Sequence, residues 1–508
     1  MSKLHQTRLL LLALLVAALS VISPAAQAQN TDAVYNGWIS AYQVADGSNF
    51  YLAKSFNDRS DGFWSSGYLM FEAEDAYFQT HKATRYNQLV QLLNDFLARN
   101  PASGWTGDTW DDDLEWIIYA YIRGYEITGN TAYLNAAASN WNAVYSRGWD
   151  NTYNGGIWEN LGDHTSKCTL SNAPFIIEGI ELYRATGTST YLTESEEVYA
   201  WQRKYLFNPT SSNTVVGVPG QVGQCAATPM QYSDNVYNSG LMVEAANSLY
   251  RATLTASYLA DAKLAAAHAI SKWPIINVDY PGNGWFSADH LFRGLNQLAN
   301  QNDLWSSYQT WLQNNANASW SKRRTDYNFT HNDFTTATPT TGDLYSMEVA
   351  GSVTVQASLP IAQSFSGNYE IQNVNSGLAL DVSGGSTSSG AAIVQDAYTG
   401  ATSQLWTFVA TTGGNYQIKN VKSGLVLNVK GHSTTSGALI QQYAAGGPQP
   451  GNDRWAPAWN VADSTWSFYN LNSQMALDIP GGSKSTGVQL DQWFTNNATN
   501  QKFNLISR

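Results

Sequence analysis

The chain has 508 residues, with 27 basic against 39 acidic side chains and a formal net charge of −12. That balance argues against a nucleic-acid or anionic-membrane surface, and the length exceeds what one ordinary hydrophobic core holds, so at least two domains are expected. Only 13% of the residues are charged, whereas 19 Trp and 29 Tyr stand among many Asn, Ser, Thr and Gly. Aromatic faces beside neutral hydrogen-bonding side chains suit sugars, whose rings offer C–H faces and hydroxyls.

Residues 1 to 28 read as a secretory leader. Lys3 and Arg8 form the charged start, the run from Leu9 the apolar core, and Ala26-Gln27-Ala28 a small-residue cleavage site. Losing Lys3 and Arg8 takes the net charge from −12 to −14. No later stretch approaches about 18 uninterrupted apolar residues, so a soluble, monomeric, extracellular or periplasmic protein is expected, with no membrane partner.

From residue 29 to about 364 the apolar residues recur at helical spacing. The spacing predicts about twelve helices, among them 171–186, 235–253 and 341–359. Related segments mark where one helix ends and the next begins: YEITGNTAYL at Tyr125, YRATGTSTYL at Tyr183, YRATLTASYL at Tyr250 and a looser copy at Tyr77. Six helical hairpins in series predict a closed (α/α)6 barrel, with an open solenoid as the alternative. The two cysteines, Cys168 and Cys225, are expected to pair in an exported chain.

Between two tryptophans, Trp110 and Trp116, stand Asp111, Asp112 and Asp113 at the head of an apolar stripe running through Leu114, Ile117, Ile118, Tyr121, Ile122 and Tyr125. One reading is a charged helix start, in which acids complement the macrodipole and Asp112 with Glu115 forms a capping box. The other is a glycosidase pair, one carboxylate at the anomeric carbon and a second acid at the leaving oxygen. Adjacent Cα atoms lie about 3.8 Å apart, so divergent side chains can reach the roughly 5 Å separation of a retaining pair.

After residue 365 the pattern changes to three copies of short strands and Gly/Ser turns, starting at NYEIQNVNSGLALDV, NYQIKNVKSGLVLNV and TWSFYNLNSQMALDI, with a period of about 47 to 50 residues. Three four-strand units predict an all-β β-trefoil over residues 365 to 508, following the all-α barrel of residues 29 to 364.

Two family resemblances fit these halves. Asp112-Asp113-Leu114-Glu115-Trp116 fits the Asp-Asp-x-x-Trp motif of glycoside hydrolase family 76, the endo-α-1,6-mannanases, and further matches are Gly155-Gly156-Ile157-Trp158, Lys167, Ser171-Asn172-Ala173-Pro174, Tyr237-Asn238-Ser239-Gly240, Asp289 to Gly294 and Ala318-Ser319-Trp320. The resemblance implies a retaining α-1,6-mannanase with Asp112 as nucleophile and Asp113 as general acid/base, needing no cofactor or metal. Glu115 departs from it, standing where an apolar residue is usual, and Asp111 is left as a cap or a charge behind the pair. Trp64, Trp116, Gly155, Gly156, Trp158, Asn172, Tyr237 and Asn238 are expected to line the substrate cleft, with a place in the core as the equal alternative for Trp158 and Tyr237. A transglycosylase or other glycosidase, or a non-catalytic binding protein, would use the same barrel.

The C-terminal repeats resemble ricin-B-type lectins, carrying that family's Gln-x-Trp signature at Gln404-Leu405-Trp406 and degraded copies at Asp453-Arg454-Trp455 and Gln501-Lys502-Phe503. The resemblance implies one shallow sugar site per repeat. The third has the fullest set, Asp478, Asp491, Trp493, Asn500 and Gln501. The second offers Asn428, Gln441 and Tyr443, and the first Asp381 and Tyr398, with Val394 and Asp396 where the site would want other residues. Trp406 and Trp455 are expected in the core.

Overall fold

The computed structural model describes residues 24–210, 217–228, 231, 233–278, 287–361, 363–446, 451–460, 463–496 and 498–508. The leader expected over residues 1 to 28 lies largely outside them. Among the described residues no helix is long and apolar enough to cross a membrane.

Among the described residues twelve α-helices build the first unit: α1 (Pro24–Tyr42), α2 (Phe63–Thr80), α3 (Ala83–Arg99), α4 (Asp111–Thr128), α5 (Thr131–Gly148), α6 (Thr169–Thr186), α7 (Ser189–Tyr205), α8 (Val236–Thr253), α9 (Ala256–Lys272), α10 (Asp289–Gln301), α11 (Trp305–Lys322) and α12 (Ala350–Ala357). The even-numbered helices form an inner ring in which each packs on the next and α12 returns to α2. The aromatic pairs Tyr68–Trp116 and Phe71–Tyr119 and the ion pair Asp75–Arg123 step down α2 and α4 together, so these neighbours run parallel. α12 also packs on α1, where Thr31 donates to the Gln356 carbonyl at 3.1 Å and Trp38 Nε1 to that of Ser346 at 3.3 Å.

The repeated tyrosine segments have a common physical cause. α2, α4, α6 and α8 each end in a left-handed residue, His81, Gly129, Gly187 and Leu254, whose N–H caps the carbonyl of Tyr77, Tyr125, Tyr183 and Tyr250. Such a cap satisfies an orphan carbonyl and reverses the chain within two or three residues. All four tight turns lie at one end of the ring, and the long connections, including those around Trp158 and Cys168–Cys225, lie at the other.

The helix expected over 341–359 is confined to Ala350–Ala357. Its first half is held by the loop after α1 instead: Asp343 accepts hydrogen bonds from Ser55 Oγ at 2.8 Å and the Asn57 N–H at 2.9 Å, Tyr345 bridges to Ser55, and Gly342 sits at φ +95°. Those tertiary bonds outcompete an apolar pattern that by itself favours helix.

The second unit is all-β. Strands Tyr369–Asn373, Trp406–Ala410, Tyr416–Asn420, Trp455–Asn460, Thr465–Asn470 and Phe503–Ser507 pair antiparallel in a closed ring of six. Three pairs cap it: Ala379–Val382 with Ile393–Asp396, Val426–Val429 with Ile440–Tyr443, and Ala476–Asp478 with Asp491–Trp493. Trp406, Trp455 and Phe503 occupy equivalent core positions, and the two indoles donate to the carbonyls of Leu380 and Leu427.

This unit docks on the end of the helical ring that carries the tight turns. His81 stacks on Tyr469 with centroids 3.7 Å apart, Phe494 meets Tyr125 edge-on at 5.0 Å, Arg184 donates to the Asn472 carbonyl at 2.7 Å, and Arg454 pairs with Asp303. The opposite end of the ring stays free of the β unit's contacts named here.

Candidate active site

The three aspartates open α4 at that free end. The helix's N-cap is Trp110, which makes no side-chain cap bond, and Glu115 is fully buried with neither carboxyl oxygen hydrogen-bonded, so the capping box of Asp112 and Glu115 does not form. Asp111 is not a cap either. It is fully buried, its Oδ1 accepts from Arg147 Nε at 2.7 Å, and its N–H donates to the Glu159 carbonyl at 2.9 Å. Arg147 also donates to the carbonyls of Thr106 and Asp108 at 2.9 and 3.0 Å. Asp111 therefore ties the start of α4 to the preceding loop and to the strand-like segment at Glu159, and leaves Asp112 and Asp113 at the surface of the site.

Asp112 and Asp113 are both partly exposed. Burial first, then the neighbouring charges of Asp113 and Glu159, pushes Asp112 well above the carboxylate range, while backbone N–H groups of the helix start favour its ionised form. Burial, then Asp108 and Glu159, pushes Asp113 up to about 7. The crowded pair at the helix N-terminus thus shares a raised proton affinity, larger at Asp112, which the helix amides oppose.

The surrounding wall is built by the 149–168 connection. Lys167 is fully buried, donating to Asp150 Oδ1 at 2.6 Å and to the Gly155 carbonyl at 3.0 Å, and Asp150 also accepts from Trp158 Nε1 at 2.9 Å. Gly156 has φ +85°, and a Cβ there would lie 2.7 Å from the Trp201 indole, so the glycine permits the close approach. Asn172 was expected at the substrate; it is fully buried and spent on this connection, accepting from the Ile157 N–H at 2.7 Å and donating to the carbonyls of Ile157 and Cys168. Asn238, also expected there, has no exposed surface. Asn172 therefore acts behind the cleft, its amide already spent on this connection. Gly155, Gly156 and Trp158 shape the wall, and Trp158 keeps only 4% of its surface.

By the parallel step of α2 and α4, Trp64 stands level with Asp112, in the first turn of α2 and half-buried. Trp116 faces the ring interior, against Tyr68 and His290 at 5.5 and 5.2 Å, and Tyr237 is buried in the first turn of α8. The Cys168–Cys225 disulfide forms, in register on the two-stranded ladder of Ser166–Cys168 with Cys225–Ala227, next to Glu159.

Several contributors were not assigned from the sequence. Trp110 is 41% exposed immediately before the acids, and Glu159 and Asp108 raise the pair's proton affinity. An exposed tryptophan preceding buried charge was a readable signal; Glu159 was not, because a loop almost fifty residues downstream delivers it. The Asp289–Gly294 motif proves to be axial: Arg293 joins Asp75 at 2.8 Å and Asp289 at 3.2 Å, and Tyr68 donates to Asp289.

In the β unit the third repeat brings its expected residues together. Asp478 Oδ1 accepts from Asn500 at 2.8 Å and Gln501 at 2.9 Å, Asp491 is its cross-strand partner, and Trp493 is 44% exposed beside them. In the second repeat Gln441 donates to Asn428 at 3.1 Å and Tyr443 is exposed; in the first, Asp381 faces Val394 and Arg508 lies over the Tyr398 ring.

The model of glycosyl hydrolase family 76 matches residues 27–360. The chain belongs to that family. A model described as a ricin-type beta-trefoil lectin domain-like unit matches residues 358–443 and 451–508. Among solved structures, the GH76A alpha-1,6-mannanase from Salegentibacter sp. is 20% identical with a TM-score of 0.58, covering 65% of this chain and 98% of that one. Another structure of that enzyme is an inactive variant, with two adjacent aspartates replaced by alanine, in complex with alpha-1,6-mannotetrose. A family 76 protein (mannosidase) from Bacteroides thetaiotaomicron is 20% identical with a TM-score of 0.54, covering 65% of this chain and 97% of that one. At these identities the likeness speaks for the fold. No curated protein gives a significant match.

Proposed function

We propose that this family 76 glycoside hydrolase is a secreted, retaining endo-α-1,6-mannanase with an (α/α)6 catalytic barrel and a β-trefoil that holds it on a polysaccharide. The observation that carries the reading is the adjacent pair Asp112–Asp113, fixed at an open ring end by the Asp111–Arg147 anchor and sharing a raised affinity for protons. Proteins of this fold include an α-1,6-mannanase inactivated at adjacent aspartates, which supports both the pair and the linkage.

In the first step Asp112 attacks the anomeric carbon, the glycosidic bond breaks, and Asp113 gives its proton to the leaving oxygen. In the second, Asp113 takes a proton from water, whose oxygen displaces Asp112 and restores the configuration. Asp112→Asn removes the nucleophile and is expected to abolish turnover. Asp113→Asn on an aryl mannoside with a good leaving group still forms the glycosyl-enzyme but stalls in hydrolysing it. Azide, which needs no base, then restores turnover with retained configuration. A reducing-end assay on unbranched α-1,6-mannan against other α- and β-linked polysaccharides tests the linkage. Product NMR separates retention from inversion and hydrolysis from transglycosylation. Activity surviving in Asp112→Asn would overturn the assignment.

A further inference from the structure

A cavity of about 380 Å³ lies far from the acid pair, at the opposite end of the ring. Its floor is the C-terminal ends of inner helices, with Arg123, Arg184 and Gln297; its roof is the β unit, with Ala456, Trp459 and Asn472. Neither unit alone encloses it. The volume falls in the range of roughly 300 to 1,000 Å³ typical of small-ligand sites.

The lining charges are already matched. Arg123 meets Glu74 at 3.2 Å and Asp75 at 2.6 Å, Arg293 meets Asp75 and Asp289, and Arg184 meets Glu181 at 2.6 Å. No surplus guanidinium charge remains to recruit an anion. Burial, then the neighbouring Glu181, pushes Glu126 well above the carboxylate range. Arg123 Nη1, on a side chain 4% exposed, His81 Nε2, Gln79 Oε1 and Asn300 Oδ1 are buried without hydrogen bonds, and all four residues line the cavity. Trp459, 40% exposed, places an indole face at the boundary with solvent. Leaving such groups unpaired is unfavourable, and a ligand that both donates and accepts would satisfy them.

We propose that this interdomain chamber is a binding site for a neutral hexose unit, held by Arg123 and Gln79 through its hydroxyls and by Trp459 through its C–H face. The unit can be a free monosaccharide or the end of an oligosaccharide chain. In either case the site is separate from the acid pair and from the exposed lectin tryptophan, Trp493.

The test uses the full-length Asp112→Asn/Trp493→Ala protein, so that cleavage and the third-repeat lectin site are both removed. Crystals are soaked with methyl α-mannoside or with α-1,6-mannotriose, and binding of each is measured by ligand-observed NMR and calorimetry. Sugar density against Arg123 and Trp459, with solution binding weakened about tenfold or more by Ala456→Trp or Trp459→Ala, is the expected result. Preference for the monosaccharide identifies a free sugar as the ligand, and preference for the triose identifies a chain end. Density confined to the lectin repeats, density with no binding in solution, or affinity unchanged by Trp459→Ala in a folded protein would overturn the proposal. Trp459→Ala, at a half-exposed position, serves if Ala456→Trp does not fold.

Discussion

Gly156→Ala isolates how the cleft wall is held. The residue sits at φ +85°, which costs an L-side chain about 1–2 kcal/mol. The new Cβ would also come within 2.7 Å of three Trp201 ring atoms, and Trp201 is itself 4% exposed and donates to the Tyr153 carbonyl at 2.9 Å, so it has little room to yield. Overpacking of this kind costs about 1–3 kcal/mol. Together the two effects amount to about 2–5 kcal/mol, or several degrees of melting temperature for a unit of this size. Trp158 and Glu159 follow directly in the chain, so the displaced wall should also lower kcat/KM. Thermal unfolding and initial rates are measured on Gly156→Ala, Trp201→Leu and the double variant. Only the steric share is relieved in the double variant, so its destabilisation should fall short of the sum of the singles by about 1–3 kcal/mol. A wild-type melting temperature for Gly156→Ala, or strict additivity, would refute the packing account.

The raised Asp113 makes a signed pH prediction. Its folded value of about 7 lies above that of an unfolded aspartate, so the native state binds this proton more tightly and loses stability as pH rises from about 4 to 7. Asp113→Asn should therefore melt higher than wild type at pH 8 and at the same temperature near pH 3, as read by calorimetry; a pH-independent difference would exclude the linkage. Replacing Cys168 and Cys225 by serine opens a loop of 57 residues and should cost about 4 kcal/mol in the chain-entropy model, measured by denaturant unfolding. Asp303→Ala removes the partner of Arg454 and should loosen the β unit's docking, detected as faster proteolysis near residues 358–368, with little change in hydrolysis of short oligosaccharides. Trp493→Ala should reduce retention on insoluble mannan while leaving kcat on short substrates intact; a matching loss of kcat would instead connect this face to the chemistry.

Local and periodic information was the legible part. The stripe from Leu114 to Tyr125 announced α4, the recurring tyrosines marked turns whose caps they accept, and the threefold spacing matched the β unit's strands. What sequence could not show depends on long-range delivery. Glu159 reaches the acids only because Asp111 binds its carbonyl, and Asn172 reads as polar lining until the Ile157 backbone claims both ends of its amide. The 341–359 segment erred the other way, since its apolar rhythm carried no sign of Asp343 bonding to residues 55–57.

The segregation of turn lengths in the helical unit has an engineering consequence. All four left-handed tyrosine caps, and every β-unit contact described above, lie at one pole, whereas the long connections that wall the acids lie at the other. Connections at the cleft pole can then lengthen, shorten or exchange without disturbing the docked module, because the docking residues His81, Tyr125, Arg184 and Asp303 lie elsewhere. Such a chassis permits substrate preference and surface attachment to diversify as separate traits, and a laboratory swapping cleft loops among relatives should inherit a ready-made anchor at the other pole.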